Sequence, residues 1–446
     1  MNILIAGDGE VGLHLAKQLA SENHNITIVD PNEELLKMVE SHTDLMTITG
    51  DSTSISVLKS ANIHKTDLLI SVVHNEQINI ITAILGKKMG AKKTIARVNS
   101  LENLSKENKQ IYESLGIDAM ICPEEIAAHE ITDLLHQTGA TEIFDFTNKK
   151  LSLFLIRLEE NAPIMYQSLF QIAKENPHLN FRAVAIHRSG QTIIPKGNDK
   201  FLPNDLIYVI TKPEGIDDLM EFCGKSRFEI KKIMVVGGGR VGRTACKRLE
   251  KEMNIKLFEV DKERCLSLTD YLEDTLVIHG DARDIQLLEE EDIRGVDAFI
   301  AVTNNSETNI LTCLHARKFG VKKTIALVEN IDYIDISQNI GIDTIINKKL
   351  ITASYIVRFT MGSEVTSLKC LSGVDAEVIE LVAKPASAIT KNQIKHLNFP
   401  DGALIGGFHR GNESFIAMGN SQIEEGDKVV VFCLPHAITK VDKLFN

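Results

Sequence analysis

The chain has 446 residues, of which 43% are hydrophobic and 25% charged, a composition typical of globular proteins. This length is too great for a single core and predicts about three or four domains. The formal net charge of −12 disfavours a nucleic-acid or anionic-membrane partner, since both need clustered cations, and no apolar run approaches the roughly 20 residues of a membrane span. The N-terminus resembles no secretory signal, and seven scattered cysteines fit reduced thiols in the cytosol.

In residues 1–140, short apolar runs alternate with amphipathic segments, and the first apolar run begins at the N-terminus. A helix is predicted over Val11–Glu22, directly after the first strand and a glycine-rich turn. Short apolar strands separated by helices predict a parallel sheet that helices cover on both faces. The predicted strands are Asn2–Ala6, Asn25–Val29, Leu68–Val73, Thr94–Val98 and Ala119–Ile121.

Residues 141–224 have a different sequence pattern, in which strand-like apolar runs are separated by turn residues. This pattern predicts a small α+β domain. A charged, glycine-initiated linker over Gly224–Lys232 follows. Residues 230–360 then repeat the first pattern, and residues 361–446 repeat the second. The expected fold class is therefore α/β, with two Rossmann-like doubly wound parallel-sheet domains, each followed by a small α+β domain.

The duplication is visible at one constant offset of 230 positions. A repeat of this length indicates a duplicated domain pair and not a solenoid. The matching segments are Gly7-Asp8-Gly9-Glu10-Val11-Gly12 with Gly237-Gly238-Gly239-Arg240-Val241-Gly242, Gly50-Asp51 with Gly280-Asp281, Asn79 with Asn309, and Lys92–Ala96 with Lys322–Ala326.

Each glycine turn stands between a predicted strand and a predicted helix, which is the context of a dinucleotide site. The first glycine permits the tight turn, the second lets a pyrophosphate approach the backbone, and the third allows close helix packing. The helix N-terminus then presents free N–H groups to phosphates. Asp30 and Asp261 are expected to end their strands, where a carboxylate binds ribose hydroxyls and repels a 2′-phosphate. NAD or NADH is therefore favoured over NADP.

Other polar positions are predicted at the same edge of each sheet. Asp51 and Asp281 follow the third strand, where they either contact the adenosine or cap a turn. Val73-His74 and Thr303-Asn304 follow the fourth strand and should face the crevice. His74 is interpreted as a polar loop residue and not as a catalytic base.

The two copies differ in charge. Glu10 in the first loop corresponds to Arg240 in the second, and Arg97 corresponds to Leu327. An anion near the phosphates disfavours further negative charge, whereas a cation can meet a terminal triphosphate. We therefore expect different nucleotides, with ATP or ADP in the second site.

Three function classes remain open on these residues. An NAD-dependent oxidoreductase would need a catalytic base and a substrate clamp, and no His-Asp, Ser-Lys or Cys-His group recurs between the copies. No metal-ligand spacing appears. A nucleotide-sensing regulator and a nucleotide-dependent scaffold remain, and sequence separates these two poorly.

The four-domain order, with Ile3–Gly12, Asp30, Gly50-Asp51, Asp67, Arg97 and the turn Ile193–Gly197 with Asp205, resembles the TrkA family. These proteins are peripheral regulatory subunits of bacterial Trk potassium-uptake systems, built from tandem RCK (KTN) units. The resemblance implies a cytoplasmic homo-oligomer (a dimer or a tetramer) on the inner face of the membrane. Its implied partner is a TrkH-like potassium channel subunit, which it gates in response to NAD or NADH and to ATP or ADP.

By position, the resemblance implies two nucleotide sites. The sequence departs from the family at Val73-His74, which lacks a hydroxyl, and at Leu327, which replaces an arginine. The implied sites comprise Gly7–Val11, Asp30, Val73-His74 and Arg97 in the first copy, and Gly237–Val241, Asp261 and Thr303-Asn304 in the second.

Two further predicted helices, near Pro123–His136 and Lys348–Phe359, carry apolar faces. They suit subunit pairing or ordinary core packing.

Overall fold

The computed structural model describes residues 1–446 except 8, 22–23, 43–44, 147–148, 177–179, 226–227, 362–363, 372–373 and 375. Its contacts divide the chain into two compact units. The first comprises Met1–Ile126 with Lys348–Met361, and the second comprises Ala127–Asn347 with Gly362–Asn446.

The first six strands form a parallel sheet in the order β3-β2-β1-β4-β5-β6, which is the Rossmann order. Its central strands are apolar along their whole length because helices bury both faces. The strands are β1 (Asn2–Ala6), β2 (Asn25–Asp30), β3 (Met46–Thr49), β4 (Leu68–Ser71), β5 (Lys93–Arg97) and β6 (Ala119–Ile121). The helices are α1 (Glu10–Ser21), α2 (Glu33–His42), α3 (Ile55–Ser60), α4 (Glu76–Lys88), α5 (Lys106–Leu115) and α6 (Pro123–His136).

An antiparallel five-stranded sheet follows, in the order β10-β9-β11-β8-β7. Its elements are β7 (Glu142–Phe146), β8 (Leu151–Arg157), α7 (Leu169–Glu175), β9 (Phe181–Arg188), β10 (Gln191–Ile193), β11 (Leu206–Thr211) and α8 (Ile216–Phe222).

The second parallel sheet repeats the first, in the order β14-β13-β12-β15-β16-β17. Its strands are β12 (Lys232–Val236), β13 (Asn254–Glu259), β14 (Thr275–His279), β15 (Ala298–Ala301), β16 (Lys323–Leu327) and β17 (Thr344–Ile346). Its helices are α9 (Arg240–Leu249), α10 (Lys262–Tyr271), α11 (Ile285–Glu290), α12 (Ser306–Lys318), α13 (Asp332–Asn339) and α14 (Lys348–Val357).

The last sheet is again antiparallel, in the order β18-β19-β22-β20-β21. It comprises β18 (Val365–Cys370), β19 (Glu377–Val382), β20 (Ala403–Arg410), β21 (Glu413–Ile416) and β22 (Lys428–Cys433), with helix α15 (Pro435–Phe445). The predicted fold class, two Rossmann-like domains each followed by a small α+β domain, is confirmed.

The two small sheets share one hydrophobic core. The ring centroids of Tyr208 on β11 and Phe432 on β22 are 6.3 Å apart. A Cβ at Gly406 on β20 would lie 2.1 Å from the Cδ1 atom of Ile210, so glycine is required for this close approach of the sheets.

Each small sheet also contains the same buried ion pair. Arg188 donates to both carboxylate oxygens of Asp205 at 2.7 Å, and Arg410 donates to those of Asp427 at 2.7 and 2.8 Å. Both aspartates are buried, and bidentate geometry is the strongest form of such a pair. The pair joins the end of β9 to the turn before β11, and the end of β20 to the turn before β22.

The helices that follow the two parallel sheets are exchanged between the halves of the chain. Helix α14, which follows the second sheet, packs against α1 in the first unit. Most of α6, which follows the first sheet, belongs to the second unit, where His136 lies 3.0 Å from Glu252. Apolar residues predicted on these helices, including Ile131 and Leu134 of α6 and Ile351 and Ile356 of α14, are buried within the single chain.

We expect the contact between α1 and α14 to weaken in acid. His14 of α1 is largely buried, and its Nε2 atom has no partner among the described residues. Burial, followed by Lys349 and Lys17, lowers the pKa of His14. The unfolded chain therefore takes up this proton first, so the free energy of unfolding should fall as the pH drops below about 6.5, the ordinary histidine value. Urea unfolding at pH 7.5 and 5.5 measures this loss, and His14→Gln should reduce it.

The control is His64→Gln, because His64 is an exposed histidine of the same unit. An equal acid-induced loss of stability in the wild type and in His14→Gln would contradict the assignment.

Candidate functional site: two nucleotide-binding crevices

The first crevice lies at the carboxyl ends of β1, β2 and β4, and the glycine loop after β1 forms its floor. Gly7 has φ +114°, and its amide donates to the carbonyl of Val29 at 3.0 Å. A Cβ at Gly7 would lie 3.1 Å from the Val73 nitrogen, and one at Gly12 would lie 1.8 Å from the Gly7 oxygen. A Cβ at Gly9, in contrast, would have nothing within 4 Å. Gly7 and Gly12 are therefore needed for packing, and Gly9 leaves the space that a phosphate requires.

The second loop repeats this geometry. Gly237 has φ +103°, and a Cβ there would lie 3.0 Å from the Thr303 nitrogen. A Cβ at Gly242 would lie 2.0 Å from the Gly237 oxygen, and one at Gly239 would again meet open space.

Helices α1 and α9 begin directly after these loops. Glu10-Val11 and Arg240-Val241 form their first turns, whose amides have no acceptor within the helix and point toward the crevice. Arg240 is exposed at the start of α9. Asp8, which was predicted as part of the first loop, lies outside the described residues.

The acidic residue at the end of the second strand differs between the copies. Asp30 ends β2 and is 7% exposed, and its carboxylate accepts the Asn32 amide at 2.9 Å. Sheet register pairs Val29 with Ala6 and Phe258 with Val236, so the counterpart of Asp30 is Glu259.

The prediction that Asp261 ends its strand is therefore wrong. Strand β13 ends at Glu259, and Asp261 caps α10 by accepting the Arg264 amide at 3.0 Å. The buried Glu259 carboxylate accepts the Gly238 amide at 2.8 Å and the Asp261 amide at 2.9 Å. Glu259 thus already binds a backbone amide of the second loop.

Asp51 and Asp281 cap turns, which is one of the two roles expected for them. Asp51 accepts the amide and hydroxyl of Thr53, both at 2.8 Å, and Asp281 accepts the Arg283 guanidinium at 2.6 Å. These donors lower the pKa of both carboxyl groups. Each carboxylate accepts hydrogen bonds from the residue two positions later in the sequence.

A buried asparagine organises each crevice behind the fourth strand, a role that sequence reasoning missed. Asn79 is 0% exposed, accepts the Val73 amide, and donates to the carbonyls of Val73 and Arg97, all at 2.9 Å. Asn309 makes the same bonds to Thr303 and Leu327. The recurrence of Asn79 as Asn309 was the available signal.

Of the residues predicted after the fourth strand, Val73 and Thr303 are held by these asparagines, whereas His74 and Asn304 are exposed. The Thr303 hydroxyl donates to Asn309 at 2.6 Å. Val73 has no hydroxyl, and the Ser71 hydroxyl donates to Asn79 instead, at 2.9 Å.

Arg97 ends β5 and is 8% exposed, and its Nη2 atom lies 2.8 Å from a carboxylate oxygen of Glu124 at the start of α6. Its buried Nε atom has no partner in the described part of the chain. The equivalent Leu327 is buried and apolar. An ion pair therefore stands beside the first crevice where the second has a hydrocarbon side chain.

Within the described ranges, no helix is long and apolar enough to span a membrane. No group of three metal-ligating side chains occurs among the same residues.

Comparison with solved structures supports this architecture. The crystal structure of the GsuK RCK domain superposes with a TM-score of 0.63 at 16% identity, covering 100% of this chain and 94% of that one. The GsuK channel bound to NAD gives a TM-score of 0.62 at 16% identity, covering 100% of this chain and 78% of that one. At this identity the likeness shows the fold.

The sequence itself matches two family models, each of them twice. The TrkA-N domain matches residues 3–123 and 233–348, and the TrkA-C domain matches residues 153–224 and 378–446.

Relatives match along their whole length. The Trk system potassium uptake protein TrkA of Haemophilus influenzae is 33% identical over 100% of this chain and 99% of its own. The TrkA of Vibrio alginolyticus is 32% identical with the same coverage, and TrkA homolog 1 of Methanosarcina mazei is 32% identical over 100% of both chains. The chain belongs to the TrkA family, as a tandem of TrkA-N and TrkA-C domains.

Proposed function

We propose that this chain is the nucleotide-sensing regulatory subunit of a Trk-type potassium uptake system and gates its membrane channel or transporter. The observation that carries the proposal is a pair of glycine-loop crevices built on one plan but lined by different charges. The full-length relatives named as Trk potassium uptake proteins support the transport role.

The first crevice is assigned to NAD or NADH. Its site would comprise Gly7, Asp8, Gly9, Glu10 and Val11 for the phosphates, and Asp30 for the adenosine ribose. The open space at Gly9 supports this assignment, as does the position of Asp30 at the end of β2. Asp51, Val73, His74 and Arg97 would complete the wall of the site.

The second crevice is assigned to ATP or ADP, with Gly237–Val241 around the phosphates. The exposed Arg240 stands where Glu10 stands in the first loop, and a cation there favours an additional phosphate. Because Glu259 and not Asp261 holds the position of Asp30, Glu259 joins the proposed site together with Asp281, Thr303 and Asn304.

The proposed partner is a TrkH-like membrane subunit, and the chain would act as a homo-oligomer on the cytoplasmic face of the membrane. A nucleotide can bias such an assembly only through different affinities for its conducting and non-conducting states.

Two alternatives make different demands. An NAD-dependent oxidoreductase requires a proton-exchanging side chain beside the nicotinamide, whereas Asp51 and Asn79 at this edge are engaged in turn and backbone bonds. A scaffold without a membrane partner requires only the nucleotide sites.

Gly9→Ala and Gly239→Ala should each abolish one nucleotide response without unfolding the protein. A methyl group meets nothing within 4 Å at either position, but it occupies the space assigned to phosphate. We expect Gly9→Ala to weaken NADH binding by at least about tenfold, or 1.4 kcal/mol, and Gly239→Ala to do the same for ATP. Calorimetric titration measures both affinities, and the Tm of each variant should stay near the wild-type value.

Each variant is the control for the other. Equal loss of both nucleotides in both variants would contradict the assignment of separate sites.

Arg240→Gln should weaken ATP binding by about tenfold and ADP binding by less, because a charge-assisted bond to the third phosphate contributes about 1.5–3 kcal/mol. Arg243→Gln is the matched control, since Arg243 is exposed one turn further along α9, near Tyr271. If both variants bind ATP equally well, Arg240 does not contact the nucleotide.

Reconstitution tests the transport role directly. Proteoliposomes that hold the cognate potassium channel subunit should show a rubidium flux that depends on this chain and responds to NADH and ATP. The Gly9→Ala, Gly239→Ala double variant should still bind the channel but lose the response. Failure of the wild-type chain to bind the channel or alter flux would favour the scaffold, and hydride transfer from bound NADH to a carbonyl would favour the enzyme.

A further inference from the structure

The second unit contains a cavity of about 410 Å³ between the first antiparallel sheet and the second parallel sheet. Arg157 at the end of β8 lines it from one side, and Arg317, Lys322 and Lys323 line it from the other. We call it the basic cavity, and it is distinct from both glycine loops.

Positive charge is in excess in the basic cavity, although the chain as a whole carries −12. Among the described residues, Lys225 completes a set of five lining cations, against two lining carboxylates, Glu159 and Asp343. Lys225 pairs with Glu159, and Arg317 pairs with Asp343 at 2.7 Å. Three cations, Arg157, Lys322 and Lys323, remain without a bonded carboxylate in the described part of the chain.

None of these three cations is bonded to a carboxylate, and their surroundings differ. Lys323 is 2% exposed and donates to the backbone carbonyl of Ala140, and burial lowers its pKa to about 8. The Lys322 ammonium lies 5.3 Å from the centre of the Phe228 ring. Arg157 is half-buried, and its guanidinium makes no hydrogen bond or ion pair to another described residue. Burial lowers its pKa, while Asp335 and Asp343 attract it and Arg317 repels it.

A buried donor in the same wall is also unsatisfied. Gln338 of α13 lines the basic cavity and is 3% exposed, and its Nε2 atom has no acceptor among the residues that the structure describes. Buried amide donors are almost always bonded, so one without a partner beside desolvated cations indicates a missing acceptor.

The first half of the chain uses the same residues differently. Lys92 and its counterpart Lys322 are both exposed, but Lys93 is exposed whereas its counterpart Lys323 is buried. Lys92 also pairs with Asp67 at 2.7 Å, whereas Lys322 has no bonded carboxylate among the described residues. Asp297, the counterpart of Asp67, accepts the amides of Lys231 and Lys232 at 2.9 and 3.1 Å. An identical sequence motif therefore forms surface pairs in one copy and lines a cavity in the other.

We propose that the basic cavity is a third ligand site, which binds a small anion bearing phosphate groups. The three unpaired cations and the Gln338 Nε2 atom supply N–H donors, and a guanidinium fork with two ammonium groups and an amide N–H matches the oxygens of phosphate. At about 30 Å³ for each displaced water, the cavity has room for a molecule the size of pyrophosphate. Because its walls come from a small domain and a Rossmann domain, occupancy would tie the two together.

Pyrophosphate is the probe, titrated calorimetrically into the full chain at low ionic strength. The wild type should bind it, and Arg157→Gln and Lys322→Gln should each weaken binding by at least about tenfold. Lys92→Gln is the matched control, since it removes the same charge from the corresponding exposed position and should leave the affinity unchanged. The Gly9→Ala, Gly239→Ala double variant should also retain binding, which separates the basic cavity from the glycine loops.

Thermal unfolding distinguishes a loss of anion binding from misfolding of a variant. Pyrophosphate should raise the Tm of the wild type but not that of Arg157→Gln, whose Tm without the anion should be no lower than that of the wild type. The proposal is overturned by equal affinities in Arg157→Gln and Lys92→Gln, by loss of binding in the double glycine variant, or by absence of both heat and Tm shift in the wild type.

Discussion

The contact between the third glycine of each loop and the carbonyl of the first governs the rest of each crevice. Any side chain at Gly12 or Gly242 would bring a carbon to within 1.8 or 2.0 Å of that carbonyl oxygen. Only glycine therefore lets the helix start directly on the loop and aim its first amides over the sheet edge. The buried asparagine behind the fourth strand holds the opposite wall of each crevice.

Within this shared frame, the copies differ where a ligand would carry charge. The first has an acidic residue at the start of its helix, a buried ion pair between Arg97 and Glu124, and Asp30 at the strand end. The second has an exposed arginine at the start of its helix, a leucine in place of Arg97, and a glutamate that already accepts a loop amide. Duplication thus preserved the backbone geometry while the side chains around it diverged, which is what two-input regulation requires.

Much of this arrangement could be predicted from sequence, because buried parallel strands and glycine turns leave strong local patterns. The predicted strands and the helix after the first loop lie within two residues of those observed. Strands β7 and β18 were not predicted, since both are edge strands whose polar residues interrupt the apolar run. The strand-end acid of the second copy is Glu259 and not the expected Asp261. The two acids lie two residues apart in the sequence, and only sheet register shows that Glu259 corresponds to Asp30.

Features that depend on distant parts of the chain were beyond sequence reasoning. The exchange of α6 and α14 between the halves and the burial of Lys323 beside Ala140 arise from packing and leave no local signature. The repeated lysine motif illustrates the limit, since Lys93 is exposed whereas its counterpart Lys323 is buried.

Titrating NADH into the full chain with and without saturating ATP would show whether the two crevices are unequal and coupled inputs. We expect NADH still to bind one site per chain when ATP is present, with an altered affinity, and NADH to alter the ATP affinity by the same factor. Simple competition, with ATP displacing NADH from a single class of site, would contradict this expectation.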